Sequence, residues 1–115
     1  MSKLSRTKGA GGERELCALL SDAFGQVVKR KLGQAREGGN DVDLPGFRVE
    51  CKRRKRIGNL YEWVEQAKLP LREATAATFQ RIPIPVVMLR ADGKEWLVTM
   101  RLADWVVIAR EEIAK

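Results

Sequence analysis

A glutamate and a lysine stand two residues apart in FRVECKRRK, residues 47–55. Because side chains alternate between the two faces of a strand, Glu50 and Lys52 would share one face, and the apolar residues beside them would share the other. A carboxylate next to an ammonium can bind a divalent cation and stabilise an anionic transition state. An ordinary solvated strand face is the alternative, since 10 Glu and 9 Lys in 115 residues give about one Glu-x-Lys by chance.

The turn before this strand places a second carboxylate close to Glu50. A Pro-Gly pair predicts a tight turn between a short strand at 41–44 and a returning strand at 47–53. The hairpin would bring Asp41 and Glu50 together on one face, where two carboxylates repel each other unless a cation lies between them or one takes a proton. Mg²⁺ is the expected cation and Mn²⁺ its substitute, because both prefer hard oxygen ligands. Asp43 shares a face with Asp41; we favour Asp41 as the ligand, and Asp43 is the alternative.

Two further side chains could assist at this position. Lys52 could hold an attacking water and offset the charge of a phosphorane-like transition state. Glu13 lies near the start of a predicted amphipathic helix at 12–24, where the helix dipole favours an anion, and it could add a third carboxylate. Each residue taken alone is more easily explained as ordinary surface charge; their joint placement favours a catalytic site.

The composition excludes several kinds of chemistry. The chain has no histidine, which excludes histidine general bases, histidine-ligated zinc and Ser-His-Asp triads. Cys17 and Cys51 cannot complete a tetrahedral zinc site alone; they could form a disulfide in an oxidising compartment, but free core thiols are expected in a cytosolic protein. No apolar run approaches the ~18 residues of a membrane helix, and the start has no signal-peptide pattern. We expect one cytoplasmic domain, residues 1–115, without a small-molecule cofactor and without a membrane partner.

Positive charge is concentrated in the first half of the chain. Residues 1–56 contain 14 Lys and Arg against 7 Asp and Glu, whereas residues 57–115 contain 8 of each. This asymmetry indicates a polyanionic partner, and nucleic acid is preferred to a membrane because no basic amphipathic helix is present. A basic surface that serves only solubility is the alternative. The residues predicted to contact DNA phosphates are Lys8, Arg14, Lys29, Arg30, Arg36, Arg53, Arg54, Lys55 and Arg56.

The hydrophobic periodicity predicts an α/β (α+β) domain, a mixed sheet flanked by helices, in the order α-β-β-β-α-β-β-α. The predicted helices cover 12–24, 60–69 and 102–114, and the predicted strands cover 27–32, 41–44, 47–53, 84–90 and 95–100. Residues 1–12 are interpreted as a flexible basic arm and 33–40 as a mobile basic loop, while Pro70 either kinks a helix or starts another at 70–79. The residues predicted to face the core from the last two helices are Leu60, Trp63, Val64 and Ala67, and Leu102, Trp105, Val106, Ala109 and Ile113.

The order of the motifs resembles the PD-(D/E)xK nuclease superfamily. KGAGGERELCALL with Glu13, then GGNDVDLPG, FRVECK and EQAK, are similar to archaeal-type Holliday junction resolvases and their phage and bacterial relatives. The likeness covers roughly residues 6–100 and rests on motif order and total length more than on any single motif. It implies a restriction-endonuclease-like core. Only eight residues separate Asp41 from Glu50, fewer than in the archaeal members.

The resemblance also implies roles for particular residues. Asp41 and Glu50 would bind the metal, and the main-chain carbonyl of Cys51 would complete the site. Lys52 would assist catalysis, Glu13 would act through a second metal or a water, and Gln66 would line the site. These roles are expectations carried over from the family pattern onto the matching positions.

The expected activity is a Mg²⁺-dependent DNA endonuclease that resolves four-way junctions in DNA recombination and repair by paired hydrolytic nicks. A four-way junction has two-fold symmetry, so a chain with one site is expected to act as a homodimer, with its interface in residues 57–115. The host would be a bacterial, archaeal or phage-infected cell. The alternatives are another nuclease or nickase of the same fold without junction preference, and a non-catalytic basic module that binds nucleic acid.

Overall fold

A computed structural model describes residues 3–31, 41–69 and 82–115, with side chains in the first range from residue 10 onward. These residues form helix α1 (Lys3–Phe24), strands β1 (Lys29–Arg30), β2 (Val42–Asp43) and β3 (Phe47–Arg54), helix α2 (Leu60–Ala67), strands β4 (Ile84–Ala91) and β5 (Leu97–Met100), and helix α3 (Leu102–Ile113). The strands form one sheet in the order β1-β2-β3-β4-β5. Strands β3 and β4 are parallel and all other neighbours are antiparallel. This described part is a mixed α+β fold in the predicted order, consistent with a restriction-endonuclease-like core.

The hairpin predicted around the Pro-Gly pair is present. Val42 of β2 pairs with Val49 of β3 in antiparallel register, and the Phe47 N–H donates to the Leu44 carbonyl across the turn. Gly46 has φ 86°, a left-handed conformation that costs glycine little because it has no Cβ. The turn therefore fixes the register that carries both predicted acidic positions.

Strands β3 and β4 form the centre of the sheet and have a packed core on each face. The core on the α1 side contains Leu16, Cys17, Val28, Val42, Val49, Cys51, Ile84, Val86 and Met88. The core on the α2 side contains Trp63, Ala67, Val87 and Leu89, with Leu60 and Val64 packed against it. The predicted inward face of α2 is thus confirmed. The two strands are buried on both faces, as is usual for parallel strands that helices cover.

Helix α1 begins at Lys3 and extends through most of the segment that was interpreted as a flexible arm. Glycines in that segment suggested a loop, because glycine lowers helix propensity. Gly12 instead allows the helix to approach β3 closely, since a Cβ at this position would lie 2.4 Å from Cβ of Arg53. The side chains of residues 3–9, and therefore the predicted phosphate contact Lys8, lie outside the description.

Helix α3 differs most from the prediction. All twelve of its residues are described, and none of them is buried. The prediction that Leu102, Trp105, Val106, Ala109 and Ile113 face the core is therefore wrong, although the helix itself is confirmed. Helical periodicity detects an apolar stripe, but it does not tell which surface covers the stripe.

Some predicted segments fall outside the described residues, namely the basic loop at 33–40 and the helix at 70–79. The strand predicted at 27–32 is present as the two residues of β1. In the three described ranges, no helix has the length and apolar character needed to cross a membrane.

Candidate active site

Glu50 and Lys52 lie together on the face of β3 that α2 covers. In the parallel register they stand beside Val87 and Leu89 of β4, both of which belong to the core on the α2 side. Lys52 Nζ lies 3.0 Å from Glu50 Oε1, and each residue is only 8 % exposed. Burying two charges is costly unless they are paired, so this geometry marks them as more than a solvated strand face.

Trp63 of α2 completes the surroundings of Lys52. The Lys52 ammonium lies 5.6 Å from the centroid of the Trp63 ring, within the range of a cation–π interaction. Gly58, in the loop before α2, packs closely against this ring. A Cβ at Gly58 would lie 2.8 Å from a Trp63 ring carbon, so a larger residue would push the ring away. Gln66, predicted to line the site, is exposed on the same helix. The sequence pattern placed Trp63 in the core but did not reveal its contact with Lys52.

Asp41 lies beside Cys51, at the edge of β3 that faces β2. Its carboxylate accepts a 2.7 Å hydrogen bond from the main-chain N–H of Cys51, and its own N–H donates to the Val49 carbonyl at 2.6 Å. Asp41 immediately precedes Val42, the residue that pairs with Val49, and so lies on the β2 side of β3 next to Cys51. Asp41 is buried, whereas Asp43 is exposed at the end of β2. Of the two candidate aspartates, Asp41 is the one held against β3.

Glu13 approaches from the other side of the sheet. It is buried on α1, and its Oε1 accepts a 2.9 Å hydrogen bond from Nε of Arg30 on β1. Arg30 was predicted to bind phosphate; here it is engaged by Glu13. Residues 17 positions apart form this pair, so no local pattern could have revealed it.

Cys51 lies between Glu50 and Lys52 in β3, and its side chain belongs to the core on the α1 side. Burial raises the pKa of its thiol far above the ordinary value, and the negative charges of Asp41, Glu13 and Glu50 add to the effect. Burial, with the Glu13 carboxylate, also raises the pKa of the Cys17 thiol. Both cysteines are free and buried, so the interpretation as core thiols is confirmed. Neutral thiols at these positions pack as apolar groups and leave the polar role of Cys51 to its main chain.

The oxygen donors at this edge of β3 fit a hard divalent cation. In the three described ranges, no group of three or more His, Cys, Asp or Glu side chains is placed to hold a metal. The set expected from the sequence is smaller: two carboxylates, those of Asp41 and Glu50, together with a main-chain group. The N–H and C=O of a strand residue point to the same edge, so the Cys51 carbonyl lies on the side where the Cys51 N–H meets Asp41. Two carboxylates and a carbonyl suit Mg²⁺ or Mn²⁺, which also retain water ligands.

The predicted phosphate contacts fall into two groups among the described side chains. The exposed ones are Arg14, Lys29, Arg54, Lys55 and Arg56. Arg30 and Arg53 are held by carboxylates, Arg53 through a 2.6 Å contact of its Nη1 with Asp92 in the turn between β4 and β5. Arg36 lies outside the residues that the structure describes. The exposed group at the end of β3, Arg54, Lys55 and Arg56, begins two residues after Lys52, so a phosphate backbone bound there would pass close to the acids.

Two buried or half-buried contacts that the sequence analysis missed hold the helices against the sheet. Arg48 is buried, and its Nε donates to the Ala67 carbonyl at 3.1 Å, which fixes the C-terminal end of α2. Glu15 of α1 accepts from the Trp96 indole N–H at 2.8 Å and from the Arg90 guanidinium. These contacts, the Trp96 hydrogen bond above all, lower the pKa of Glu15 against the opposing effect of its burial. Strand alternation places Arg48 on the same face as Glu50, but no sequence pattern indicated its partner or the partners of Glu15.

Comparison with known proteins identifies the family. The model of a family described as "Phage putative PDDEXK endonuclease" matches residues 4–114, which is almost the whole chain. No curated protein and no solved structure gave a match. The matched range includes β3 with Glu50 and Lys52, the hairpin with Asp41, and Glu13 on α1. The chain belongs to this family of phage PDDEXK endonucleases.

Proposed function

We propose that this protein is a Mg²⁺-dependent DNA endonuclease that resolves four-way junctions by paired hydrolytic nicks. The observation that carries the proposal is the buried Glu50–Lys52 pair, with Asp41 held at the same edge of β3. A chain that only bound nucleic acid would have no need to bury two acids and an ammonium beside its basic surface. Membership of an endonuclease family supports the nuclease part of the proposal.

The residues of the site would divide the work of phosphodiester hydrolysis. Asp41, Glu50 and the Cys51 carbonyl would hold the cation. A bound Mg²⁺ would supply Lewis-acid stabilisation of the phosphate oxygens. Lys52, fixed between Glu50 and the Trp63 ring, would orient the attacking water and offset the developing negative charge. Glu13 would add a carboxylate from the α1 side, with Arg30 fixing its orientation.

Junction preference and a homodimer are the finer parts of the proposal. A four-way junction has two-fold symmetry and requires two opposed nicks, whereas each chain offers one site. The exposed cluster at the end of β3, Arg54, Lys55 and Arg56, would bind backbone phosphates and so provide salt-dependent affinity rather than base recognition. The resemblance of the motif order to junction resolvases supports this choice of substrate.

The test compares a four-way junction with a duplex of the same arm sequences, in Mg²⁺ and in EDTA. We expect wild type to introduce symmetric paired nicks in the junction in Mg²⁺ alone. Glu50→Gln should bind the junction within about threefold of wild type, because it removes one buried charge and no phosphate contact, yet should not cut it. Equal cleavage of duplex and junction would establish a nuclease without junction preference. Intact binding without any cleavage by wild type would establish a non-catalytic binding module.

Trp63 offers a second prediction. If its ring holds the Lys52 ammonium, Trp63→Leu should lower kcat by between about twofold and thirtyfold, the range that a cation–π interaction of ~0.5–2 kcal/mol gives. Trp63→Phe keeps an aromatic face and should retain most of kcat, and KM should change little in either variant. Single-turnover cleavage rates of the two variants measure the effect, and thermal unfolding shows whether each variant is folded. Equal losses in the two variants would show that Trp63 contributes only packing.

A further inference from the structure

Helix α3 displays a continuous apolar stripe on its surface. Leu102, Trp105, Val106, Ala109 and Ile113 follow one another at helical spacing and therefore lie on one side of the helix. At its two ends Leu102 is 74 % and Ile113 79 % exposed. A twelve-residue helix has little stability of its own in water, so a stripe of this kind indicates a surface that buries it.

We propose that the stripe of α3 packs antiparallel against the same stripe of a second copy of this chain, around a two-fold axis. The stripe is suited to pairing with itself. Ala109 lies near its middle, where a small side chain lets two helix axes approach closely. Large side chains lie at both ends, so antiparallel packing sets Leu102 of one copy against the partner's Ile113, and the reverse.

The charges beside the stripe also favour an antiparallel pair. Arg101, the N-cap residue of α3, forms a 2.7 Å ion pair with Asp104, and Glu112 forms a 2.8 Å ion pair with Lys115 at the other end of the helix. Antiparallel packing brings these two ends together, so Arg101 of one copy could exchange Asp104 for Glu112 of the partner subunit, twice per dimer. In this arrangement the dipoles of the two helices are antiparallel, which is electrostatically favourable. A parallel pair would instead set like charges against each other.

The available area is of the right size. The exposed parts of the α3 stripe amount to roughly 400 Å² of apolar surface. A standard protein interface buries about 800 Å² on each partner, slightly more than half of it apolar. The stripe could therefore supply most of the apolar part of one complete interface. This inference deepens the proposed junction cleavage by locating the dimer surface.

Two adjacent valines provide a matched test. Val106 lies in the stripe and Val107 lies on another side of α3; they are 39 % and 50 % exposed. Val106→Lys and Val107→Lys change the same residue type to the same good helix former and add the same charge. By analytical ultracentrifugation of the full chain, we expect wild type and Val107→Lys to be dimers, and Val106→Lys to raise the dimer Kd at least about tenfold, as expected for a charge placed in an apolar interface.

Several results would overturn the proposal. Wild type that remains a monomer at tens of micromolar would show that the stripe is covered within its own chain or by another protein. Equal dissociation of both lysine variants would show that the stripe is not the interface. The measurement reads molecular mass, so loss of cleavage with an intact dimer would count against the proposed function and not against this surface.

Discussion

Asp41→Asn is expected to lower the rate of metal-dependent DNA cleavage more than about a hundredfold, since loss of a group that merely supports a metal ligand already costs ~10–100-fold. The amide oxygen can still accept from the Cys51 N–H, so the hairpin should keep its shape. What is lost is the negative charge that, with Glu50, would hold the cation. Mn²⁺ affinity, measured by calorimetry without DNA, should fall in parallel.

Asp43→Asn is the matched control for this change. Asp43 is exposed two residues further along the same hairpin, and the substitution removes the same charge. Cleavage and Mn²⁺ affinity should stay within about threefold of wild type, as for most surface substitutions. If Asp43→Asn abolishes cleavage and Asp41→Asn is tolerated, Asp43 is the metal ligand and the choice of Asp41 is wrong. Equal tolerance of both changes would contradict a hairpin metal site altogether.

Gly12→Ala is expected to destabilise the fold by about 1–2 kcal/mol. The new Cβ would lie 2.4 Å from Cβ of Arg53, an atom fixed next to the main chain of β3 that cannot swing aside like the end of a long side chain. Overpacking of this kind costs ~1–3 kcal/mol and outweighs the gain in helix propensity. Because Gly12 adjoins Glu13, a shift of α1 should also slow cleavage. Urea unfolding followed by circular dichroism gives the free energy.

Gly11→Ala is the control on the neighbouring residue of the same helix. A Cβ at Gly11 meets nothing within 4 Å, so only helix propensity changes, and the variant should be more stable than wild type by about 0.5–1 kcal/mol. The free energy of unfolding should thus fall in Gly12→Ala and rise in Gly11→Ala. A Gly12→Ala protein as stable as Gly11→Ala would mean that α1 lies further from β3 than a 2.4 Å approach of the new Cβ to Arg53 requires.

The local features of the site could be predicted from the sequence. Alternation in FRVECKRRK and the Pro-Gly pair determine the hairpin, and the structure has both β3 and the turn at Gly46. The same alternation placed Glu50 and Lys52 on one face, where they form an ion pair. Such features depend on residues within a few positions of one another, which is why a pattern reveals them.

Pairings between distant residues could not be predicted. Arg30 and Arg53 were interpreted as phosphate contacts, yet Glu13 and Asp92 hold them, across 17 and 39 residues respectively. A positive side chain is attracted equally to a carboxylate and a phosphate, and only the three-dimensional arrangement decides which lies nearby. The exposure of α3 was missed for a related reason, because an apolar stripe looks the same whether its own chain or a second copy covers it.

The unequal lengths of the strands have a consequence for local opening. Strands β1 and β2 have two residues each, whereas β3 and β4 pair over eight. Short strands with few hydrogen bonds, here the edge strand β1 and its neighbour β2, detach at much lower free energy than the centre of a sheet, and amide hydrogen exchange detects this difference. We therefore expect Asp41 to belong to a segment that opens at lower free energy than Glu50 and Lys52, so the proposed cation site could be assembled and taken apart without unfolding the domain.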